Sequence, residues 1–334
     1  MTDGETGKPR TPQPGRRAGA RRRAFALALG VVAAAAAPPS RAEPAPGERE
    51  VPFLTVRERT DSEDPAKVFG GARGALAAGW CSVRELELDF LSPLAGSAPP
   101  YLREQLLVMD RMRESPAPAL LDAFEAGVAT GPPLLYVHGY YIDFEKGCRR
   151  AVLFRENADL AGRLLWFTWP SDGLAASYVR DEADLYWSVP DIADAILELE
   201  RRFGAGGVDL AGHSLGARGV VLALLEVARL RPEARLGELV LLSPDMDFGI
   251  FARVLPRLLP IVDGITIYVA SGDRPLALSA QLHGQPRLGQ AGNDVSTLAG
   301  VEVIDVGDPP GAGPTGHLHH LHAKAVGEDL SRLL

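Results

Sequence analysis

From residue 133 to its C-terminus the chain repeats one pattern: a short, continuous apolar run, then a longer stretch with helical spacing. The runs Leu134–Val137, Leu164–Thr168, Val208–Ala211, Glu238–Leu242, Ile265–Ala270 and Val301–Val306 read as strands. Phe144–Leu160 reads as an amphipathic helix. Another runs through Ile192, Ile196, Leu199 and Phe203, opened by Ser188 with Asp191 three residues on, a capping-box spacing. A third follows Val208–Ala211 through Ala228, and a last one runs from about His320 to Leu333. Strands without polar alternation are buried on both faces, so helices must cover both sides of a mostly parallel sheet. The fold class is therefore α/β. Upstream, Val51–Val56 and Ser82–Leu88 read as early strands, Asp61–Gly79 as turn-rich and Pro116–Val128 as helical. The 36 glycines and 27 prolines fall between the apolar runs as loop punctuation.

One junction in this pattern carries chemistry. Val208-Asp209-Leu210-Ala211-Gly212-His213-Ser214-Leu215-Gly216 places Gly-x-Ser-x-Gly directly after a strand and before a helix. A chain turning that sharply needs Gly212 and Gly216 to remove colliding side chains. Ser214 then projects above the strand ends, beside a helix N-terminus whose partial positive charge favours a developing anion. This makes Ser214 the candidate nucleophile, the other reading being an inert serine in a tight turn.

A serine hydroxyl needs a base, an acid to orient that base, and donors for the oxyanion. The amide of Leu215 is one expected donor. The second is expected from the loop Val137-His138-Gly139-Tyr140-Tyr141, with Tyr140 or its neighbour Tyr141 supplying the N–H and His138 orienting the loop. On this frame the partners follow in the order serine, acid, histidine. Asp273, after the strand Ile265–Ala270, is the favoured acid; Asp245 and Asp247, after Glu238–Leu242, are alternatives that also suit a helix cap or a salt bridge. The base must follow Val301–Val306, where His317, His319, His320 and His322 cluster. His317 ends a glycine-rich loop, but spacing alone does not rank the four. His319 and His322 are three residues apart and invite a metal reading, yet no third ligand converges on them, so neither metal nor cofactor is expected.

Together the segments Cys81-Ser82-Val83, Val137-His138-Gly139-Tyr140, Phe167-Thr168-Trp169-Pro170-Ser171, Gly212-His213-Ser214-Leu215-Gly216, Asp245-Met246-Asp247, Ser271-Gly272-Asp273, Ala277-Leu278-Ser279 and Gly316-His317 resemble an uncharacterised bacterial branch of the α/β-hydrolase superfamily, once filed as a domain of unknown function. The resemblance spans roughly residues 50–330. It implies the α/β-hydrolase fold, with a mostly parallel central sheet covered by helices on both faces. It also implies a serine hydrolase with Ser214, Asp273 and His317 as triad. In that branch Gly-His usually precedes Ser or Thr and an aromatic; here Leu318 and His319 follow. The branch lends no substrate. A carboxylic ester is expected, cleaved through an acyl-enzyme. A peptidase or amidase with the same triad, or a non-enzymatic envelope binding protein that kept the fold, are the rival readings.

The segment between Trp169 and Pro190, with Tyr178, Tyr186 and Trp187, is expected either to form a small lid at 171–188 or to pack as helix against the sheet. Arg218 is expected to anchor an acidic loop. The expected partner is a small ester or acyl compound. Net charge is −8, divided as +6 over residues 1–42 and −14 over the remainder, which disfavours nucleic acid. Arg16-Arg17 and Arg21-Arg22-Arg23, the apolar run Ala24–Ala37 and Ser40-Arg41-Ala42 have the order of an export signal, with Arg22-Arg23-Ala24-Phe25 resembling the twin-arginine type. Residues 1–42 are thus expected to be removed on export, leaving a periplasmic or secreted domain at 43–334 without a membrane span. Export permits a bond between Cys81 and Cys148, although Cys148 also has the spacing of a buried thiol.

Overall fold

A computed structural model describes residues 49–86, 100–310 and 312–334. The expected export segment, its cleavage site and the end of the strand Ser82–Leu88 lie outside the described residues. Nine strands form one sheet in the order β3-β2-β1-β5-β4-β6-β7-β8-β9. They are β1 (Arg49–Arg59), β2 (Phe69–Glu85), β3 (Leu107–Glu114), β4 (Leu134–Val137), β5 (Leu164–Thr168), β6 (Asp209–His213), β7 (Leu236–Leu242), β8 (Val262–Val269) and β9 (Glu302–Asp305). From β1 to β9 every pairing is parallel; β1, β2 and β3 pair antiparallel at one edge. The helices are α1 (Arg103–Leu106), α2 (Ala117–Gly127), α3 (Phe144–Asn157), α4 (Tyr178–Phe203), α5 (Leu215–Leu230), α6 (Phe248–Leu258), α7 (Arg274–His283), α8 (His319–His322) and α9 (Lys324–Leu333).

The central strands are apolar throughout because both of their faces are covered. Leu135, Val137, Leu165, Phe167, Leu210, Leu239 and Leu241 point to one side, where Ile192, Ile196 and Leu199 of α4, Val220 and Leu224 of α5 and Phe251 of α6 meet them. Their neighbours Leu134, Tyr136, Leu164, Trp166, Ala211 and Val240 point to the other, onto Phe144, Cys148, Val152 and Phe154 of α3 and Val326 and Leu330 of α9. This is the two-residue period of a strand acting between two helical layers. Cys81 of β2 and Cys148 of α3 are joined by a disulfide.

The structure corrects three of the sequence expectations. The stretch expected to be turn-rich becomes strand from Phe69 onward, and β3 was not anticipated. Glycines crowd this edge because backbone runs against backbone: a Cβ on Gly79 would sit 2.9 Å from the ring of Phe53 and also strike the Arg113 carbonyl. Third, Ser188 does not cap a helix. It lies within α4, which begins ten residues earlier and continues through Pro190, and its hydroxyl donates to the Asp184 carbonyl at 2.8 Å.

Candidate active site

The parallel strands end together at one edge, where β6 passes into α5 through Ser214. This serine adopts φ 53° and ψ −120°, a left-handed conformation that costs a non-glycine residue about 1–3 kcal/mol. The surroundings hold it there. Its N–H donates to the Leu242 carbonyl at 2.9 Å, and its carbonyl accepts from Asp245 N at 3.0 Å and Ala217 N at 3.1 Å. A Cβ on Gly216 would collide with the His138 carbonyl, and one on Gly212 with the Ala217 backbone. Gly139 has the same duty on the facing loop, where a Cβ would lie 2.9 Å from both the Ser214 Cβ and His213 Nδ1.

His317 arrives on the loop after β9. Gly316 precedes it at φ 70°, and a Cβ there would lie 2.6 Å from the Gly272 carbonyl oxygen; only glycine lets this loop lie against the β8 turn. His317 Nδ1 donates to Asp273 Oδ2 at 2.6 Å. The other oxygen of Asp273 accepts the Leu276 N–H at 3.0 Å and so caps α7. One carboxylate thus fixes both a helix and an imidazole, and it leaves His317 Nε2 as the ring's acceptor nitrogen. Ser214 and His317 line one cavity of about 500 Å³.

His213, the variable residue inside the Gly-x-Ser-x-Gly motif, also has a task that sequence reasoning missed. Its ring lies 4.6 Å from that of His317, and its Nε2 donates to the His317 carbonyl at 3.1 Å. Burial pushes its pKa well below the ordinary histidine value, so it holds the loop as a neutral ring. His138 is buried, stacked on Trp169 at 5.1 Å. It donates through Nδ1 to the Gly139 carbonyl at 2.7 Å and accepts at Nε2 from Thr168 Oγ1 at 3.0 Å. Arg57 closes this network: it donates to Thr168 Oγ1 (2.8 Å), the Ser171 carbonyl (2.7 Å) and the Ile142 carbonyl (2.7 Å). Burial lowers its guanidinium to about 10, so it stays charged at neutral pH. Arg57 ties the loop after β4 to the loop after β5, and no sequence motif marks it.

The remaining candidates are placed elsewhere. Asp247 caps α6 through the Ile250 N–H at 2.8 Å. Asp245 lines the cavity but accepts from Tyr178 (2.6 Å), Ser279 (2.6 Å) and Arg287 (2.9 Å). Burial raises its carboxyl, but Arg218, Ser279, Tyr178 and Arg287 together outweigh this and hold it below the usual range. Arg218 anchors the acidic loop through Asp245 and also pairs with Glu182. The segment 171–188 is a loop, a short turn at Ala175–Ser177 and the start of α4; Tyr178 lines the cavity, while Asp181 and Leu185 are buried. His320 faces the Tyr136 hydroxyl at 3.4 Å, and His322 lies 3.7 Å from Glu104. His319, whose Nε2 lies 3.0 Å from Ser243 Oγ, and His322 therefore point to different partners.

A serine–histidine contact joins the residue after β7 to α8. Ser243 Oγ and His319 Nε2 are 3.0 Å apart, a distance consistent with a catalytic dyad. Both residues are 0% exposed, and neither lines the cavity that holds Ser214. Burial lowers His319 to about 4, with His317 adding to the effect.

The sheet, its helices on both faces and the serine at the strand–helix turn define an α/β hydrolase. The family model described as "Alpha/beta hydrolase of unknown function (DUF900)" matches residues 129–333, and the chain belongs to that family. A search of curated proteins finds no match. Among solved structures the chain is similar to the hormone-sensitive-lipase homologue EstE7 from a metagenome library, at 16% identity over 68% of this chain and 80% of that one, with a TM-score of 0.38. It is also similar to Est1E from Butyrivibrio proteoclasticus, at 13% identity over 61% and 86%, with a TM-score of 0.39. Esterase PE8 gives 14% identity over 62% and 95%, with a TM-score of 0.41. These likenesses are too slight to carry an argument about chemistry.

Proposed function

We propose that this protein is a serine hydrolase that cleaves carboxylic esters through an acyl-enzyme on Ser214. The carrying observation is convergence: a strained serine and an imidazole hydrogen-bonded to Asp273 open into the same cavity. In this reading His317 Nε2 takes the Ser214 proton as Oγ attacks the ester carbonyl, and Asp273 steadies the imidazolium that forms. The tetrahedral oxyanion is met by the N–H groups of Leu215 and Tyr140. Of the two tyrosines Tyr140 is favoured, because the Tyr141 N–H is turned to the Asp181 carboxylate at 3.4 Å. The protonated His317 then gives its proton to the leaving alcohol. A water molecule, deprotonated by the same ring, breaks the acyl–serine bond and releases the acid.

Buried, off-cavity Ser243 and His319 serve in this reading to seat α8 against β7. Replacing Ser214 with Ala should lower kcat on a short-chain ester by about 10⁴-fold or more with the fold intact. Replacing Ser243 with Ala should leave a serine-dependent rate within about tenfold of the parent. The reverse ranking would move the nucleophile to Ser243.

We further propose export to an oxidising compartment. The disulfide supports it. N-terminal sequencing of secreted material should begin near residue 43; a start at Met1 or Thr2 would reject cleavage.

A further inference from the structure

In a chain of net charge −8, the cavity around Ser214 is lined by three cations, Lys146, Arg150 and Arg274. Two of these stand on α3 at i and i+4, where like charges repel. Arg150 is answered by Glu104 at 2.8 Å. Lys146 has neutral partners instead: its ammonium donates to the Tyr141 carbonyl at 3.0 Å and lies 3.6 Å from the Tyr141 ring centre. The nearby carboxylates are engaged, Glu104 with Arg150 and Asp143 with the Lys146 backbone N–H at 2.8 Å as the cap of α3. Arg274 is the first residue of α7, where the helix field disfavours a cation. Asp245, the one carboxylate among the described lining residues, is covered by Arg218 and Arg287.

One side of the lining is aliphatic. Leu276, Leu278 and Leu282 of α7 lie there with Pro275, Ala175 and Leu318. Leu278 and Leu282 are 68% and 61% exposed, more apolar surface than a closed helix face leaves bare. Lys146 and Arg274, set at a cost around this pocket and without an ion-paired carboxylate among the described residues, are the arrangement expected of a site whose counter-ion arrives with the ligand.

We propose that the cavity selects esters that carry a carboxylate, with Lys146, Arg150 and Arg274 holding the charge and α7 holding the aliphatic body. The proposal rests on the Ser214 reading only for where the scissile bond lies. Burial, and then Arg150, lower the Lys146 ammonium to about 8, which leaves it mostly charged at neutral pH and ready to be stabilised by an anion.

The test separates binding from turnover. Calorimetry on the Ser214→Ala protein would compare neutral methyl hexanoate with monomethyl adipate, charged on the acyl side, and carboxymethyl hexanoate, charged on the alcohol side. At least one charged ester should bind about tenfold or more tightly than the neutral one. That advantage should shrink toward parity in high salt. Lys146→Gln and Arg274→Gln should each cut the charged-to-neutral ratio severalfold. Equal affinities for all three esters, or a preference unmoved by salt, would overturn the proposal even if a substituted protein failed to fold. Hydrolysis of the same esters by the unsubstituted protein is read separately. A charge preference in binding without hydrolysis would reject the esterase reading and leave the anion subsite standing.

Discussion

Asp273 occupies two positions at once, and its two oxygens can be separated by mutation. Asp273→Asn keeps an acceptor for the Leu276 N–H but removes the charge facing His317. Activity should fall about 10³–10⁴-fold while the melting temperature barely moves. Asp273→Ala should lose the same activity and about 1 kcal/mol of stability besides, from the lost cap of α7. Equal stability of the two variants would show that the cap contributes nothing. The turn at Ser214 and its flanking glycines were legible in the sequence because local backbone geometry alone demands them, whereas His317 was favoured only by the family resemblance. Choosing among the four late histidines was not legible there, since that depends on which ring the loop turns toward Asp273. Arg57 and His213 were equally hidden: their partners are carbonyls and loops that only the fold brings near.

At the scale of elements, the central strands β4 to β8 and their helices were readable because burial on two faces writes an unbroken apolar run. Of the β2–β3 edge only the end of β2 was readable, from the alternation that begins at Ser82; the rest is rich in small residues and carries charges toward solvent, so no hydrophobic period announces it. The N-terminal half of α4 was masked by Ser188 and Pro190, which suggest a start; packing of Asp181, Asp184 and Leu185 carries the helix back to Tyr178. Strand β6 carries a measurable electrostatic load. Its first residue, Asp209, accepts the Glu238 N–H at 2.8 Å and lies 3.7 Å from Arg163, yet burial raises its carboxyl from 3.8 to about 6. A raised acid contributes its full stability below the unfolded pKa and loses it as pH rises through the folded one. Asp209→Asn, which keeps the acceptor, should therefore gain about 1–3 kcal/mol over the parent near pH 7.5 and little near pH 4. Urea titrations at the two pH values decide it; a gap that is constant with pH would show that Asp209 is not perturbed.

Across the whole molecule, the Cys81–Cys148 bond joins the antiparallel edge to α3, the helix that also carries Lys146 and Arg150 to the cavity. It closes a loop of 67 residues, for which chain entropy predicts about 4 kcal/mol. The Cys81→Ser, Cys148→Ser double variant should lose up to that amount and should become insensitive to reductant; an unchanged denaturation midpoint would show that the sheet and helices hold this edge unaided. The sequence left the bond open, because two cysteines far apart in the chain say nothing of their separation in space. Catalysis by this molecule turns on which serine is reactive. A fluorophosphonate probe, followed by peptide mass spectrometry, reads this directly on the folded protein. A single phosphonate on Ser214, lost in His317→Ala and retained in Ser243→Ala, is the predicted result. A label on Ser243, or no label on a protein that still hydrolyses esters, would contradict it.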